Sequence, residues 1–587
     1  MRKFQWKLKS IDDEALIDRL RTELNDLPSE LAQMLVQRGV TSFDEAHFFF
    51  RAKLEDLHDP MLMTGMNDAV DRILGAIENE DQIFVYGDYD VDGTTSTALL
   101  TGFLKSLGSR VEFFVPNRFE HGYGLSRQGI DVCAEGGANL IVALDCGITA
   151  IQEAEYAKSL GIDLIICDHH TPHDRLPDAV AVLDPKRDDC TYPFKDLCGC
   201  GVTFKLVQAL LSALKKDPEE AVPYLDLVAL ATAADVVSVT GENRILLREG
   251  IERLRSDPRV GIRALAEESR TRLSDCTVTS IVFGIGPRIN AAGRLGDAGR
   301  AVSLLMTNDA VEAAARARQL ERLNQERRVL DKETLDEAVL MAERLLLSSD
   351  RHSIVLHQAD WHMGVIGIVA SRLVDRFYRP TVMLTTVNGK AKGSARSING
   401  INVFEAIRSC EDILSEFGGH DYAAGLSLPV ENIEEFIRRF EEGVSSQVSP
   451  ELMDPVIHLD AKLSFRSIDK RFWAVLKQFE PFGPDNSQPL FLTTNLMVSG
   501  EPKTVGRDNT HLKFSVRERD QSGVDRDVIG FRMSEYLDIL VESRETNSPI
   551  ELVYSLEENT WNGRTSIQLR AKDLRLTNTE EPVSRSE

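Results

Sequence analysis

With 587 residues, the chain is too long for a single hydrophobic core, and a prior of about 150 residues per domain predicts roughly three to five domains. Its hydrophobic content of 42% and charged content of 27% are typical of a soluble globular protein. The net charge of −25 argues against a protein that coats nucleic acid non-specifically. It still allows a locally basic groove, and it is also compatible with a salt-rich host.

No segment of the sequence has the pattern of a targeting or membrane element. The stretch MRKFQWKLKSIDDE lacks the apolar run of a signal peptide, and no later stretch is long and apolar enough to cross a bilayer. We therefore expect a cytoplasmic protein with no membrane contact. Several of the eight cysteines lie in apolar runs such as LIVALDCG, where buried free thiols are the default. Cys198 and Cys200 flank one glycine, but no second thiol pair stands at zinc-site spacing, so we expect no structural zinc.

The pattern of the chain changes near residue 80. Residues 1–75 have helical apolar spacing, with Ser42 as a candidate N-cap in SFDEA, and we assign them to an N-terminal helical segment. Short β-rich apolar runs then alternate with helical stretches; the runs are QIFVYG, RVEFFVP, NLIVALD, DLIICD and AVAVLDP. Near-continuous apolar strands between helices predict a parallel sheet covered on both faces, in an α/β domain over 76–300.

No glycine or proline occurs between Gly299 and Gly364. The stretch from about Asp309 to Leu347 predicts one helix, roughly 58 Å long at 1.5 Å per residue, and we assign residues 301–349 to a helix that connects two domains. An apolar stripe marks one face of it: Leu320, Leu323, Leu330, Ala338, Met341 and Leu345. The arginines of RARQLERLNQERR fit a solvated charged face at least as well as they fit DNA contact.

Two further domains are predicted after this helix. Residues 350–450 form a second α/β unit that is rich in glycine and contains GKAKGSARSING and FGGHDYAAGLSL. Residues 451–580 have mainly strand patterns: HLKFSVRER alternates, and Asn562-Gly563 is a hairpin-turn signal before TSIQLRA. We expect a small β domain, with a barrel as its form, followed by a disordered tail NTEEPVSRSE.

The densest chemistry in the sequence is the stretch VYGDYDVDGTTS, which spaces three aspartates two residues apart: Asp88, Asp90 and Asp92. A calcium-binding EF-hand loop is excluded, because its twelfth position would be Leu99 and because a β-type run precedes it where an EF-hand needs a helix. Two alternatives remain at this point. One is an acidic turn that caps the next helix through Thr94 or Thr95, and the other is a site that gathers catalytic metals at the end of a strand.

Later acidic residues follow other predicted strands. Asp145 ends the strand LIVALD, and a later strand ends in the run Asp168-His169-His170. Asp235 lies in the apolar segment LVALATAADVV, which would not bury a lone carboxylate cheaply. Because neighbouring parallel strands bring their carboxyl ends together, these side chains can converge on one cleft. Carboxylates with an imidazole suit Mn²⁺ or Mg²⁺, and two such ions would activate a water and stabilise an in-line phosphoryl displacement, so the metal site is favoured.

The ordered set of motifs resembles a known family. DYDVDGTTS, LDCG, DHH and AADVV are similar to the four motifs of the DHH phosphoesterase superfamily, and FGGHDYAAG is similar to the signature of its DHHA1 accessory domain. With VPNRFEHGYGLS, FGIGPRINAAGRL and GSARSING, nearly the whole chain resembles the RecJ family of bacterial exonucleases, which degrade single-stranded DNA from the 5′ end. The resemblance implies an α/β fold: a parallel-sheet DHH core and an α/β DHHA1 domain joined by a long helix, plus a C-terminal all-β OB-like domain.

Catalytic roles are implied by the same resemblance. The implied ligands of two Mn²⁺ or Mg²⁺ ions are Asp90, Asp92, Asp145, His169 and Asp235, with Asp88 at or beside them. His170 would orient or protonate at the scissile phosphate, and Arg288 would stabilise the developing charge. No ligand position departs from the family pattern, although GSARSING has Ala395 where a glycine is common.

The resemblance also implies contacts to the DNA strand. Near the cut these are Arg118, Arg288 and Asn290. By its residue type, Tyr123 is a candidate stacking surface for a base. In the accessory domain the implied contacts are Ser394, Arg396 and Ser397 at the 5′ end and Gly418, Gly419 and His420 at a phosphate. Arginine offers a planar fork to phosphate oxygens, and flanking glycines let backbone N–H groups approach closely. Surface salt bridges for the arginines and core packing for Tyr123 or His420 are the alternatives.

The expected function is a metal-dependent 5′→3′ exonuclease that releases mononucleotides from single-stranded DNA in recombination and repair. A basic face of the β domain would add grip through Lys513, Arg517, Arg570 and Lys572. One alternative is a DHH phosphodiesterase for short oligonucleotides or cyclic dinucleotides, which would lack the N-terminal helices and the β domain. Another is a catalytically silent DNA-binding scaffold, which would lack ligand carboxylates. The implied partners are single-stranded DNA, a single-strand-binding protein and a RecQ-type helicase, with the chain as a monomer.

Overall fold

The computed structural model describes residues 4–11, 13–117, 121, 124–519, 525–561, 564–577 and 584–585. Four residues with predicted functional or turn roles lie outside these ranges, as does most of the tail NTEEPVSRSE; they are Arg118, Tyr123, Asn562 and Gly563. Two compact units are present: Met1–Ala52 with Pro450–Glu587 forms the smaller unit, and Lys53–Ser449 forms the larger unit. Among the described residues, no helix combines the length and the apolar character needed to cross a membrane.

The elements are numbered in chain order. The strands are β1 (Gln5–Leu8), β2 (Ile83–Tyr86), β3 (Val111–Phe114), β4 (Leu140–Leu144), β5 (Asp163–Cys167), β6 (Ala181–Leu183), β7 (Ile354–His357), β8 (Thr381–Val387), β9 (Lys390–Arg396), β10 (Glu416–His420), β11 (Ala423–Pro429), β12 (Val456–Leu459), β13 (Ala461–Lys462), β14 (Phe491–Val505), β15 (His511–Glu518), β16 (Arg526–Gly530), β17 (Ile550–Trp561), β18 (Arg564–Leu576) and β19 (Ser584–Arg585). The helices are α1 (Glu14–Glu23), α2 (Ser29–Val36), α3 (Phe43–Arg51), α4 (Met66–Glu78), α5 (Val91–Ser106), α6 (Arg127–Glu135), α7 (Ile151–Ser159), α8 (Gly199–Ala213), α9 (Leu225–Ala234), α10 (Gly241–Ser256), α11 (Val260–Ser269), α12 (Val278–Ser280), α13 (Gly286–Leu295), α14 (Gly299–Met306), α15 (Ala310–Ser348), α16 (Met363–Phe377), α17 (Val403–Arg408), α18 (Ile433–Ser445), α19 (Lys470–Leu476) and α20 (Leu537–Thr546).

The larger unit is built around a parallel sheet with the order β3-β2-β4-β5-β6, which we call the core sheet. All five strands predicted between residues 82 and 185 are confirmed. Ile83 and Val85 of β2 enter one apolar core, whereas Phe84 and Tyr86 enter another on the opposite face, which is why these strands are apolar at every position. From β2 the chain crosses outward to β3 and then returns past β2 to β4. The crevice between β2 and β4 is therefore the topological switch point of the sheet.

A second sheet in the same unit, here called the accessory sheet, has the order β10-β11-β9-β8-β7. Its β7 and β8 are parallel and its other pairs are antiparallel. The long helix predicted from about Asp309 to Leu347 is confirmed as α15. The helix begins later than the connecting segment assigned to residues 301–349. Asp309 caps it by accepting from the N–H groups of Val311 and Glu312, and the preceding α14 is a separate helix.

The buried face of α15 is more polar than its apolar stripe predicts. Leu320 and Ala338 are fully buried, as expected, and the other members of the stripe are half-buried. Asn324 and Asp331 are buried as well, with exposed fractions of 0% and 1%. Arg327 donates to Asn324 at 3.1 Å and lies 3.7 Å from Asp331. The inner face of the long helix thus carries a polar network in addition to its apolar contacts.

The smaller unit joins both ends of the chain. β1 pairs in parallel with β12, and Leu20 and Leu31 of the first helices share one apolar core with Phe472 and Phe491. The helices predicted over residues 1–75 are present, but they do not form one segment, because residues from Lys53 onward, α4 included, pack into the larger unit. Pairing between the two ends of a chain leaves no local signature in its sequence.

The predicted β domain is a barrel. Strands β14, β15, β16, β18 and β17 are neighbours in that order, and pairing between β14 and β17 closes the ring. A five-stranded barrel is the architecture of the OB fold. The predicted N-cap of α3 is also confirmed, since Ser42 accepts from the N–H of Glu45 and the Glu45 carboxylate accepts from the N–H of Ser42.

Candidate metal centre and nucleic-acid interface

The carboxyl ends of three neighbouring strands place acidic and imidazole side chains at the switch point. Asp88 follows β2, Asp145 follows β4 and His169 follows β5. Their exposed fractions are only 2%, 2% and 5%. Asp145 has a left-handed backbone with φ of 60°, and α8 begins so close to it that a Cβ on Gly199 would lie 2.8 Å from its own Cβ. A conformation that costs free energy is thus held at a candidate ligand, as is common at functional sites.

The other aspartates of the first motif lie at the start of α5. Asp90 is the N-cap of this helix, and its side chain accepts a backbone N–H of the first turn at 3.0 Å. Asp92 accepts two N–H groups from the start of α8, at 2.6 and 2.7 Å. Thr94 and Thr95 do not cap α5 as the capping alternative predicts, because their hydroxyls donate to the backbone carbonyls of Asp90 and Val91. Capping by Asp90 is compatible with a metal site, since a carboxylate has a second oxygen.

Among the described residues, three groups of three side chains have ligand atoms within 4.8 Å of one another. Two of them share no residue: one is Asp88, Asp90 and Asp145, and the other is Asp92, His169 and Asp235. The third group, Asp145, His169 and His170, overlaps both. The groups adjoin, because Nε2 of His169 lies 3.2 Å from Oδ1 of Asp145 and 3.6 Å from Oδ2 of Asp235. Asp90 and Asp92 belong to different groups although they are two residues apart. This separation supports their assignment to two different ions.

Burial and mutual repulsion disfavour the charged carboxylates of this cluster. Burial first, and then the neighbouring aspartates, raise the pKa of Asp92 to about 7 and the pKa of Asp235 to about 9. The same causes raise the pKa of Asp145 well above its usual range. Burial and the adjacent His170 lower the pKa of His169 to about 3, so its imidazole is neutral and in the form that binds metals. Divalent cations would offset the repulsion.

The donor atoms fit such cations. Oδ1 of Asp145, Oδ2 of Asp235 and Nε2 of His169 are buried without a hydrogen-bond partner in the part of the chain that the structure describes. Unsatisfied buried polar atoms are costly unless a ligand satisfies them. Carboxylate oxygens with one imidazole suit Mn²⁺ or Mg²⁺.

The eight cysteines are buried as free thiols, and Cys198 caps α8.

Asp168 has a role that the motif alone does not reveal. Its Oδ1 lies 2.7 Å from Nδ1 of His170, and its Oδ2 accepts the N–H of Ile148 at 2.9 Å. Burial by itself would lower the pKa of His170, but the hydrogen bond and the charge of Asp168 outweigh it and raise that pKa to about 9. His170 is therefore cationic at neutral pH beside the carboxylate cluster. The sequence signal for this pair is that Asp168 directly follows the strand β5 and His170 comes two residues after Asp168.

Helix α13 carries Arg288 and Asn290 past the loop between β2 and α5. A Cβ on Gly293 would lie 2.3 Å from the carbonyl oxygen of Tyr89, so glycine is needed for this approach. Arg288 is buried, and its Nε lies 2.7 Å from Oε2 of Glu321 on α15. Asn290 is half-buried on the same helix. Among the described residues, neither side chain is joined to the carboxylate cluster by a hydrogen bond or ion pair.

A cavity of about 480 Å³ opens at the carboxyl end of β3, and His121, Arg300 and Arg316 are among its lining residues. Arg118 and Tyr123 are close in sequence to this cavity, but they lie outside the described residues. Their contacts to substrate stay predictions.

The predicted anchor for a 5′ end lies on and just after β9. Nη1 of Arg396 donates to Oγ of Ser394 at 2.9 Å. Both side chains face α16, where a Cβ on Gly367 would lie 3.0 Å from Oγ of Ser394 and 3.2 Å from Nη2 of Arg396. The hydroxyl of Ser397 donates to the carbonyl oxygen of Ile401 at 2.6 Å. The structure therefore brings Ser394 and Arg396 together, while Ser397 shapes the following loop.

The predicted phosphate-contacting loop is the end of an exposed hairpin. Gly418, Gly419 and His420 close β10, and all three are exposed. Gly419 has φ of 143°, and a Cβ there would lie 2.4 Å from the carbonyl oxygen of Ala423. The alternative of a packed core histidine is wrong for His420, because its side chain faces solvent.

The predicted basic face of the barrel is partly neutralised. The guanidinium groups of Arg517 and Arg570 are paired with carboxylates. Lys513 and Lys572 are exposed. The guanidinium of Arg570 also lies over the ring of Phe531, 4.9 Å from its centre, and Phe531 is 48% exposed. An exposed ring beside cationic groups suits base stacking, and no motif in the sequence marks it.

Three family models match separate parts of the chain. Residues 82–232 match the DHH family, N-terminal domain, and residues 350–446 match the DHHA1 domain. Residues 459–573 match the RecJ OB domain. These matches and the sheets confirm the predicted fold class: a parallel-sheet core, a DHHA1 domain with a mixed sheet and a C-terminal OB barrel.

Similar proteins extend the match over almost the whole chain. The single-stranded-DNA-specific exonuclease RecJ of Bacillus subtilis (strain 168) is 39% identical over 573 residues, which cover 97% of this chain and 71% of that protein. The crystal structure of RecJ in complex with Mn²⁺ from Thermus thermophilus has a TM-score of 0.82 at 31% identity, over 100% of this chain and 81% of that one. The Mg²⁺ complex from the same source has a TM-score of 0.76 at 29% identity, over 98% and 79%. With this identity and coverage, the chain belongs to the RecJ family of single-stranded-DNA-specific exonucleases.

Proposed function

We propose that this protein is a metal-dependent exonuclease that degrades single-stranded DNA from its 5′ end and releases mononucleotides, in recombination and repair. The observation that carries the proposal is the pair of adjoining ligand groups at the switch point of the core sheet. The relative from Bacillus subtilis supports it, because it is named a single-stranded-DNA-specific exonuclease and its match covers 97% of this chain. A phosphodiesterase for cyclic dinucleotides or short oligonucleotides needs neither the barrel nor the N-terminal helices.

Two Mn²⁺ or Mg²⁺ ions fit the site. One would be held by Asp88, Asp90 and Asp145, and the other by Asp92, His169 and Asp235. When bound, the ions supply activation of water and neutralisation of charge on the phosphodiester. The protein fixes its own ligands in advance: Asp92 is oriented by two N–H groups of α8, and His169 is kept neutral by burial. The relative from Thermus thermophilus was crystallised with either metal, which supports the choice of ions.

His170 and Arg288 act on the substrate in this proposal. Asp168 engages Nδ1 of His170, which leaves Nε2 to hold a proton at a phosphate oxygen or to donate it to the leaving oxygen. The pKa of about 9 keeps this imidazole protonated at neutral pH. Arg288 provides a second positive charge for the oxygens that become more negative during cleavage.

Residues around the metal centre would hold the strand. The proposed contacts are Arg118, Tyr123 and Asn290 near the cut, Ser394, Arg396 and Ser397 at the 5′ end, and Gly418, Gly419 and His420 at a phosphate. We assign catalysis to residues 76–300, grip on the 5′ end to residues 350–450 and grip on the single strand to residues 451–580. The proposed protein acts on DNA in the cytoplasm as a monomer. Its proposed partners are a single-strand-binding protein and a RecQ-type helicase.

End-labelled DNA tests the polarity and the strand preference. Single-stranded and blunt duplex oligonucleotides, labelled at either end, are incubated with Mn²⁺, Mg²⁺ or EDTA. A 5′ label on the single strand should appear first as a mononucleotide, duplex should be cut slowly, and EDTA should stop cleavage. Preferential release from the 3′ end, or equal attack on blunt duplex, would contradict the proposal.

A competition assay separates the proposal from the dinucleotide alternative. An excess of a linear or cyclic dinucleotide is added to the reaction on a long single strand. We expect weak competition, because a dinucleotide offers fewer contacts to the protein than a long single strand does. Strong inhibition, with faster turnover of the dinucleotide than of the strand, would favour the phosphodiesterase.

A further inference from the structure

The guanidinium of Arg288 is held by the long helix. Its Nε lies 2.7 Å from Oε2 of Glu321, and its Nη1 donates to the carbonyl oxygen of Gly284 at 2.6 Å. The exposed fractions of the two charged side chains are 6% for Arg288 and 14% for Glu321. Because water is largely excluded, this charge-assisted contact is stronger and more directional than a surface salt bridge.

The carboxylate of Glu321 is itself fixed on α15. Gln325, one turn later, donates to Oε1 of Glu321 at 2.9 Å. One oxygen is thus anchored on the long helix while the other faces Arg288. The Gly284 carbonyl belongs to the π-helical turn Ile281–Ile285, which directly precedes α13. Such turns are rare and occur frequently at functional sites.

Two nitrogens of the guanidinium are therefore engaged, which leaves Nη2 and the outer edge for a phosphate. A guanidinium without these contacts would rotate, and a misplacement of about 1 Å can cost a hundredfold in rate. We propose that Glu321 is the positioning residue that orients Arg288 toward the phosphate at the cut. The inference rests on the proposed function, because it assigns a task to Glu321 only through Arg288.

The competing explanation is a structural counter-ion. A buried arginine needs an opposite charge whatever its function, and loss of the partner is then a defect of folding. The two explanations differ in coupling. If Glu321 acts only by positioning Arg288, replacing Glu321 causes no further loss of activity once Arg288 has been replaced. If Glu321 is a structural counter-ion, its replacement still lowers activity in that background.

A double-mutant cycle on the full chain tests the coupling. Steady-state kinetics on a single-stranded oligonucleotide are measured for Glu321→Ala, Arg288→Ala and the double variant. Glu321→Ala should lower kcat by about tenfold to a hundredfold, with KM changed by less than about threefold. In the Arg288→Ala background, Glu321→Ala should cause no further loss of kcat. Glu326→Ala, at an exposed glutamate on the same helix, is the matched control and should behave as the parent.

The conservative variant guards against misfolding. Glu321→Gln keeps an oxygen that can accept from Nε and loses the charge, so it should retain more activity than Glu321→Ala. It can carry the same cycle if the alanine variant does not fold, as judged from its melting temperature. Equal losses of kcat in the parent and in the Arg288→Ala background, for either substitution of Glu321, would overturn this inference and leave the proposed function in place. An unchanged kcat for Arg288→Ala would overturn both this inference and the proposed role of Arg288.

Discussion

The two sheets of the larger unit differ in how far they bury the proposed site residues. The core sheet buries Asp88, Asp145 and His169 at the ends of parallel strands, with exposed fractions of 5% or less. The accessory sheet exposes Gly418 and His420 at the tip of an antiparallel hairpin. Buried charges cost free energy until a ligand neutralises them, but their positions are fixed. We therefore expect bond breaking to depend on the core sheet and strand binding to depend on the accessory sheet.

The largest effect should come from Asp145→Asn. Asparagine keeps the size of the side chain and tolerates the left-handed backbone here, but it is a poorer ligand for a hard cation. Cleavage should fall by about a thousandfold or more, the scale on which loss of a catalytic group acts. Without metal, the melting temperature should stay the same or rise, because a repelling buried carboxylate is removed. Asp71→Asn, at an exposed aspartate, is the control, and retained activity in Asp145→Asn would contradict the metal assignment.

The cost of the buried cluster should appear as a pH dependence of stability in EDTA. The folded pKa values of Asp92 (about 7) and Asp235 (about 9) are raised, so each carboxyl contributes stability that is present at low pH and lost as pH rises through the folded pKa. The free energy of unfolding should thus decrease between about pH 5 and pH 9. Mn²⁺ should reverse much of the decrease, because its binding replaces protons. Urea titrations across this range measure it, and a rise in stability with pH would contradict the account.

A smaller effect is expected from Asp168→Asn. Asparagine still accepts from the N–H of Ile148, but it no longer raises the pKa of His170 by charge. The value of kcat should fall by about tenfold to a hundredfold. Because His170 would lose its proton at lower pH, the basic limb of the pH–rate profile should move to lower pH. Asp174→Asn, at an exposed site nearby, should leave both unchanged, and an unshifted profile in Asp168→Asn would refute the support of His170.

The smallest effect is expected in the accessory sheet, from Gly419→Ala. A Cβ at Gly419 would lie 2.4 Å from the carbonyl oxygen of Ala423, so the hairpin tip must shift. KM for single strands should rise by about two- to fivefold with little change in kcat. Gly425→Ala, where a Cβ would meet no atom within 4 Å, should behave as the parent. A loss of kcat larger than that of Asp168→Asn would break the division between the two sheets.

The sequence predicts the core sheet and its acidic residues well, because both have local signatures. Apolar runs mark the strands, and Asp88, Asp145 and His169 directly follow them. Contacts between distant segments have no such signature. The N–H groups that hold Asp92 come from α8, and the partner of Arg288 is Glu321 on a helix whose sequence pattern is apolar and arginine-rich.

The same limit explains the errors in the N-terminal segment and along the long helix. β1 pairs with β12 (Val456–Leu459), which is distant in the sequence, so residues 1–75 could not be divided correctly from local spacing. On α15, Asn324 and Asp331 are buried with polar partners, whereas periodicity predicts burial only for apolar residues. Helical periodicity predicts which face of α15 is buried, but it does not predict the polar residues on that face.

Anomalous diffraction from crystals of the full chain soaked in Mn²⁺ tests the central claim most directly. The account predicts two manganese peaks at the switch point of the core sheet. One should lie among Asp88, Asp90 and Asp145, and the other among Asp92, His169 and Asp235. Two peaks in these positions would establish the metal centre, and no peak, or peaks only away from the ends of β2, β4 and β5, would contradict it.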